Sequence, residues 1–166
     1  MNRSQPHNLV REGLTAGAIG ATAVAVWFLI LDTIQGRPLY TPTVLGAALF
    51  SLLGPPMSES GALRVTGYTV FHYAVFCALG VLVVFLVHRS HREPNILAGL
   101  LVLLVTFEVG FYGFTALLSE PGLLGDIGWY QILLGNLLAT VTMGTYVWRT
   151  HPLLGPDAAH ALRGEE

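Results

Sequence analysis

Four apolar runs, each about as long as a bilayer crossing, constrain this chain more than any other feature: residues 14–34, 67–87, 96–118 and 127–148. Each holds 21 to 23 residues. An α-helix rises ~1.5 Å per residue, so ~20 apolar residues cross a hydrocarbon core of ~30 Å. Only Asp32 and Glu108 carry formal charges inside the four runs. The pattern predicts a protein whose solvent is lipid.

The expected fold is all-α: a four-transmembrane-helix up-down bundle forming one domain over residues 1–166. The second and third runs are joined by residues 88–95, and the third and fourth by 119–126. Connections this short make successive helices antiparallel neighbours. The first loop, 35–66, is longer. Thr41-Pro42 reads there as a helix start, with Thr as N-cap and Pro in the first turn. Residues 42–53 are then apolar nearly all round and end at Gly54-Pro55-Pro56. Twelve residues make ~18 Å of helix, too short to span. The expectation is a short interfacial or re-entrant helix in the first extracytoplasmic loop, followed by an exposed turn region over 57–64.

Charge sets the orientation. All eight basic residues are Arg, and charged residues make up 11% of the 166, against ~25% in an ordinary soluble domain. Placing the N-terminus in the cytoplasm puts Arg3, Arg11, Arg89, Arg92, Arg149 and Arg163 inside, and Arg37 and Arg64 outside. The positive-inside rule therefore predicts a multi-pass inner-membrane protein with both termini cytoplasmic. The first run is too long for the apolar core of a signal peptide and is read as a membrane helix. A net charge of −2 argues against a nucleic-acid partner. The single cysteine, Cys77, lies mid-run and reads as a small buried apolar side chain.

Small residues mark helix contacts. Gly13, Gly17 and Gly20 on the first helix, with Gly135 and Ala139 on the fourth, have the spacing that lets membrane helices approach closely. They fit contact within the bundle, or docking against a second subunit. Trp27, Trp129, Tyr130, Tyr146 and Trp148 fit interfacial aromatic belts, with Trp27 set deeper than the rest.

Intramembrane polar residues are the candidate site, because ionisable groups are costly in hydrocarbon. Counted from each helix's outer end, Glu108 lies ~15 Å deep, Asn136 ~14 Å, Tyr112 ~9 Å, His72 ~8 Å, Gln131 ~6 Å and Asp32 ~3 Å. All six fall in the outer half of the bilayer. Two readings stand side by side. In the structural one, Glu108 is neutral and donates to Asn136, tying the third helix to the fourth. In the functional one, Glu108 exchanges protons or binds a cation, with His72 as relay or ligand. No metal site is expected: His88 and His91 suit the C-terminal end of the second helix, and no Cys/His ligand spacing exists. No motif names a cofactor; lipid, quinone or a pigment are the classes compatible with the composition.

The stretch from Gly13 through Asp32, Gly36-Arg37-Pro38-Leu39 and Thr41-Pro42 to Leu45-Gly46 resembles a group of small four-span bacterial integral membrane proteins. The likeness extends through His72 and Glu108 to the closing segment from Asn136 to Trp148. It implies a bacterial source and four spans, and brings no activity with it. With no catalytic motif in the chain, the first expectation is a non-catalytic accessory subunit of a larger respiratory, photosynthetic or transport complex. Its partner is then a membrane protein or a second copy of itself. The alternatives are a proton or cation transporter built on the Glu/His site, and a quinone- or cofactor-handling redox protein.

Overall fold

The computed structural model describes residues 9–53, 60–90 and 127–150, and every regular element among them is an α-helix. These are α1 (Leu9–Ile34), α2 (Tyr40–Leu53), α3 (Gly61–Ser90) and α4 (Trp129–Thr150). The third apolar run lies outside the described residues, and so do Glu108 and Tyr112. Helices α1 and α3 are long and apolar enough to cross a membrane. Helix α4 has similar length but carries Gln131, Asn136 and four threonines.

Helix α1 is the common partner, packing against α3 and α4 and touching α2. Its buried residues, Glu12, Gly13, Ala16, Gly17, Gly20, Ala21, Val24, Phe28 and Asp32, repeat at three- and four-residue spacing. One row meets α3. Methyl groups added at Gly13 or Gly17 would run into the α3 backbone, at Val81 and at Phe76–Cys77. One added at Gly80 would strike back into Gly13 and Gly17. The two backbones therefore touch, which dispersion alone rewards where lipid supplies no hydrophobic drive. The other row meets the α4 stripe of Gln131, Gly135, Ala139, Met143 and Val147, spaced by four. There Gly20 accommodates Met143, and Gly135 accommodates Trp27 and Phe28. At one end, Ala16, Val84, Met143 and Val147 close a core contributed by all three helices.

The pairings fix direction. Gly13 lies against Val81 and Ala21 against His72, so α1 and α3 are antiparallel. Thr150 bonds Glu12 while Gln131 bonds Trp27, so α1 and α4 are antiparallel as well.

The α1–α2 corner begins with a Schellman motif. Gly36 sits at φ +72°, Gly36 N–H bonds Thr33 O at 3.0 Å, and Arg37 N–H bonds Asp32 O at 2.8 Å. Helix α2 then starts at Tyr40, earlier than Thr41-Pro42 suggests. Leu39, at φ +66°, stands where an N-cap would be and has no side-chain oxygen to offer. The Thr41 N–H is capped instead by Asp32 of α1. Helix α2 packs on the start of α3, where Gly46 meets the Arg64 backbone and Gly67 meets the Phe50 ring. Residues 61–64, expected as an exposed turn, are helical because Ser60 caps α3: its Oγ accepts from Leu63 N–H at 3.3 Å.

Candidate functional site

Two of the polar residues singled out by the sequence, Asp32 and His72, line one cavity of about 240 Å³ between α1, α2 and α3. The corner geometry places Asp32 in the last turn of α1, 2% exposed, facing the first turn of α2. Its two carboxylate oxygens accept from Thr41 N–H and Thr41 Oγ1–H, each at 2.8 Å. One side chain thus satisfies a backbone donor that the start of a helix otherwise leaves orphaned.

His72 is brought to α1 by the glycine contacts one and two turns further along α3. Its Nε2 lies 3.1 Å from Ala21 O. A carbonyl can only accept, so Nε2 carries the hydrogen and, in the neutral ring, Nδ1 is left as an acceptor. The imidazole sits in an aromatic frame. Tyr68 stacks on it at 5.7 Å, Tyr73 meets it edge-on at 5.9 Å and Phe76 is tilted against it at 4.7 Å. Tyr73 Oη is 2.9 Å from Thr22 Oγ1, which adds a second bond from α3 to α1. The cavity wall thus combines Thr22, Tyr68, Thr69, His72 and Tyr73 with the Asp32–Thr41 pair, over an otherwise apolar lining.

The remaining candidates lie elsewhere. Gln131 is on the α4 side of α1, in a capping arrangement. Its Oε1 accepts from Gly128 N–H at 3.1 Å, and its carbonyl accepts from Trp27 Nε1–H at 2.9 Å. That bond gives the deep-set Trp27 a partner. Asn136 is half-buried one turn further along α4, beside the buried stripe, and its carbonyl accepts from Thr140 Oγ1. The pairing of Asn136 with Glu108 falls outside the described residues.

Sequence reasoning passed over Tyr68, Tyr73, Thr22 and Glu12. Tyr68, His72 and Phe76 are spaced by four, so one face of α3 was readable as an aromatic row. Glu12 precedes the first apolar run, yet it lies in α1, is buried, and accepts from Thr150 Oγ1 at 2.8 Å. Its signal was the continuation of the Ala16–Gly20 spacing one turn back. Among the described residues no group of three His, Cys, Asp or Glu side chains could hold a metal ion. Compared with known protein families, with curated proteins and with solved structures, the chain matches none of them.

Proposed function

We propose that this chain is a small, non-catalytic membrane protein that crosses the bilayer four times and works by binding another membrane component. The observation that carries the reading is how polar and apolar groups are distributed. Large apolar side chains face outward on all three long helices: Val26, Leu29 and Ile30 on α1, Val70, Phe71, Leu82 and Phe85 on α3, Leu133, Leu134, Leu137, Leu138 and Val141 on α4. Hydroxyls on the same helices bond back to their own backbone. Thr15, Thr22, Thr33, Thr69, Thr140, Thr142 and Thr145 each donate to the carbonyl four residues earlier. A threonine so satisfied tolerates hydrocarbon, which has no water to offer. The polarity of α4 is therefore compatible with a crossing.

Connectivity supports four crossings. Helix α3 ends beside the start of α1, and α4 begins beside its end, so the two helices end and begin at opposite ends of α1. That places Arg11, Arg89 and Arg149 at one end of the helices and Arg37 and Arg64 at the other. The bias favours both termini in the cytoplasm of a bacterial inner membrane. A non-catalytic role fits the side chains: Asp32, His72, Gln131 and Glu12 each hold a structural hydrogen bond. An accessory subunit of a larger membrane complex is the role this favours, with the outward leucines of α4 as its docking face.

Reporter fusions after residues 35, 92, 123 and 150 test the count of crossings. They should report outside, inside, outside and inside; two consecutive fusions on one side would remove the four-span reading. An absorption spectrum and solvent extract of the purified protein test the binding role. A stoichiometric pigment, quinone or haem would replace the accessory reading with a cofactor-handling one.

A further inference from the structure

We propose that the cavity between α1, α2 and α3 binds a membrane-partitioning organic cation, with the Asp32 carboxylate as its charge partner and the aromatic face of α3 as its seat. This assigns a ligand class that the accessory role does not supply, and it holds whatever the number of crossings.

The charge argument comes first. Both Asp32 oxygens accept hydrogen bonds, which is the role of the ionised form. Both donors, an amide and a hydroxyl, are neutral. Among the described residues no Arg or His is bonded to this carboxylate. Arg37, the nearest cation in sequence, bonds Gln35 Oε1 at 3.0 Å and lies over the Tyr40 ring at 4.1 Å. A carboxylate offers about four lone-pair sites, and Thr41 uses two. The α2 cap therefore stabilises the negative charge without neutralising it. Asp32 lies between the last turn of α1, which has no basic side chain there, and the first turn of α2, so the two helix dipoles offset each other at the carboxylate and leave its charge in place. A charge removed from water attracts a counter-charge far more strongly than an exposed one does.

Size and lining then select the cation. The cavity, at about 240 Å³, exceeds the ~150 Å³ of an engineered apolar cavity that holds a benzene ring. It admits one ring with a small charged group. Tyr68, His72 and Tyr73 supply aromatic surface on the α3 side, and ring faces attract cations. Val24, Phe28 and Val65 line much of the rest. An inorganic cation needs several oxygen ligands to replace its water, and this wall offers one carboxylate among scattered hydroxyls. An ammonium carrying an apolar body satisfies both halves of the site.

The test compares phenyltrimethylammonium with tert-butylbenzene, its uncharged counterpart of the same shape. Calorimetric titration of the full-length protein in maltoside micelles, corrected for empty micelles, gives both affinities. The cation should bind saturably at one site, at least tenfold more tightly than the hydrocarbon. Asp32→Asn keeps an oxygen for the Thr41 N–H and should weaken cation binding at least tenfold. Equal binding of the two probes, binding of neither, or undiminished cation binding by Asp32→Asn would each overturn the proposal. Displacement of the probe by equimolar Na⁺ would do so too. Should Asp32→Asn fail to fold, the wild-type comparison of the two probes decides alone.

Discussion

Gly17→Ala is the sharpest test of how α1 meets α3. A methyl group on Gly17 would lie 2.5 Å from Cys77 Cα and would also strike Phe76 O. Both obstacles are backbone, so no rotamer change relieves them and the helices must separate. Overfilling a packed contact costs ~1–3 kcal/mol, and a rigid obstacle places this case near the upper end. For a chain of this size, ~1 kcal/mol moves Tm by ~2–4 °C, so a fall of ~6–12 °C is expected. Gly144→Ala is the matched control. An added methyl at Gly144 meets nothing within 4 Å. Removing a mid-helix glycine there should stabilise by up to ~1 kcal/mol, a rise of ~2–4 °C. Both variants are read by circular dichroism melting in the same detergent. A Gly17→Ala protein that melts at or above the wild type would refute the close-backbone account of the α1–α3 contact.

Three further substitutions probe other joints. Thr41→Val removes the hydroxyl bond to Asp32 but keeps the amide bond, and should lower stability by ~1–2 kcal/mol in the same melting assay. Trp27→Phe removes the Nε1–H bond to the Gln131 carbonyl, which keeps its partner within the helix; the expected loss is ~0.5–1.5 kcal/mol, and unchanged melting would argue that the bond contributes nothing. Leu39→Asn places a residue that tolerates positive φ where Leu39 now sits at φ +66°. It should raise stability by ~1 kcal/mol, and a fall would show that the leucine's apolar contacts outweigh its backbone strain.

How much of this was readable in the chain depends on how far apart the interacting groups lie. Helical class follows from composition and run length, which are local. The ends of helices follow less well. The first run begins at Leu14 because Arg11 and Glu12 interrupt its apolar character, yet α1 starts at Leu9, since Glu12 finds a hydroxyl partner in Thr150. The start of α3 at Gly61 was legible in Ser60, a good N-cap residue, but the eye is drawn past it to the apolar residues beyond. The cap of α2 was not legible. Its acceptor comes from Asp32 on the preceding helix, and no spacing rule links residues 32 and 41 across a turn. His72 has the same difficulty in stronger form, because its partner is a backbone carbonyl that carries no sequence signal. The sequence could nominate Asp32 and His72 as costly residues. Only the packing of α1 on α3, through glycines, puts them on one cavity and leaves Gln131 on another side of α1.

Two polar joints at opposite ends of α1 differ in sequence separation, and this sets a clock. At about 5–20 residues per second of synthesis, Thr41 follows Asp32 within about 0.5–2 seconds, whereas Thr150 follows Glu12 only after about 7–28 seconds. The far end of α1 therefore gains its polar joint almost as soon as it is made, while the Glu12–Thr150 bond comes only after α3, which touches Gly13 at Val81, has been made. A nascent protein halted before Thr150 would hold the Asp32 corner closed and lack the hydroxyl bond to Glu12.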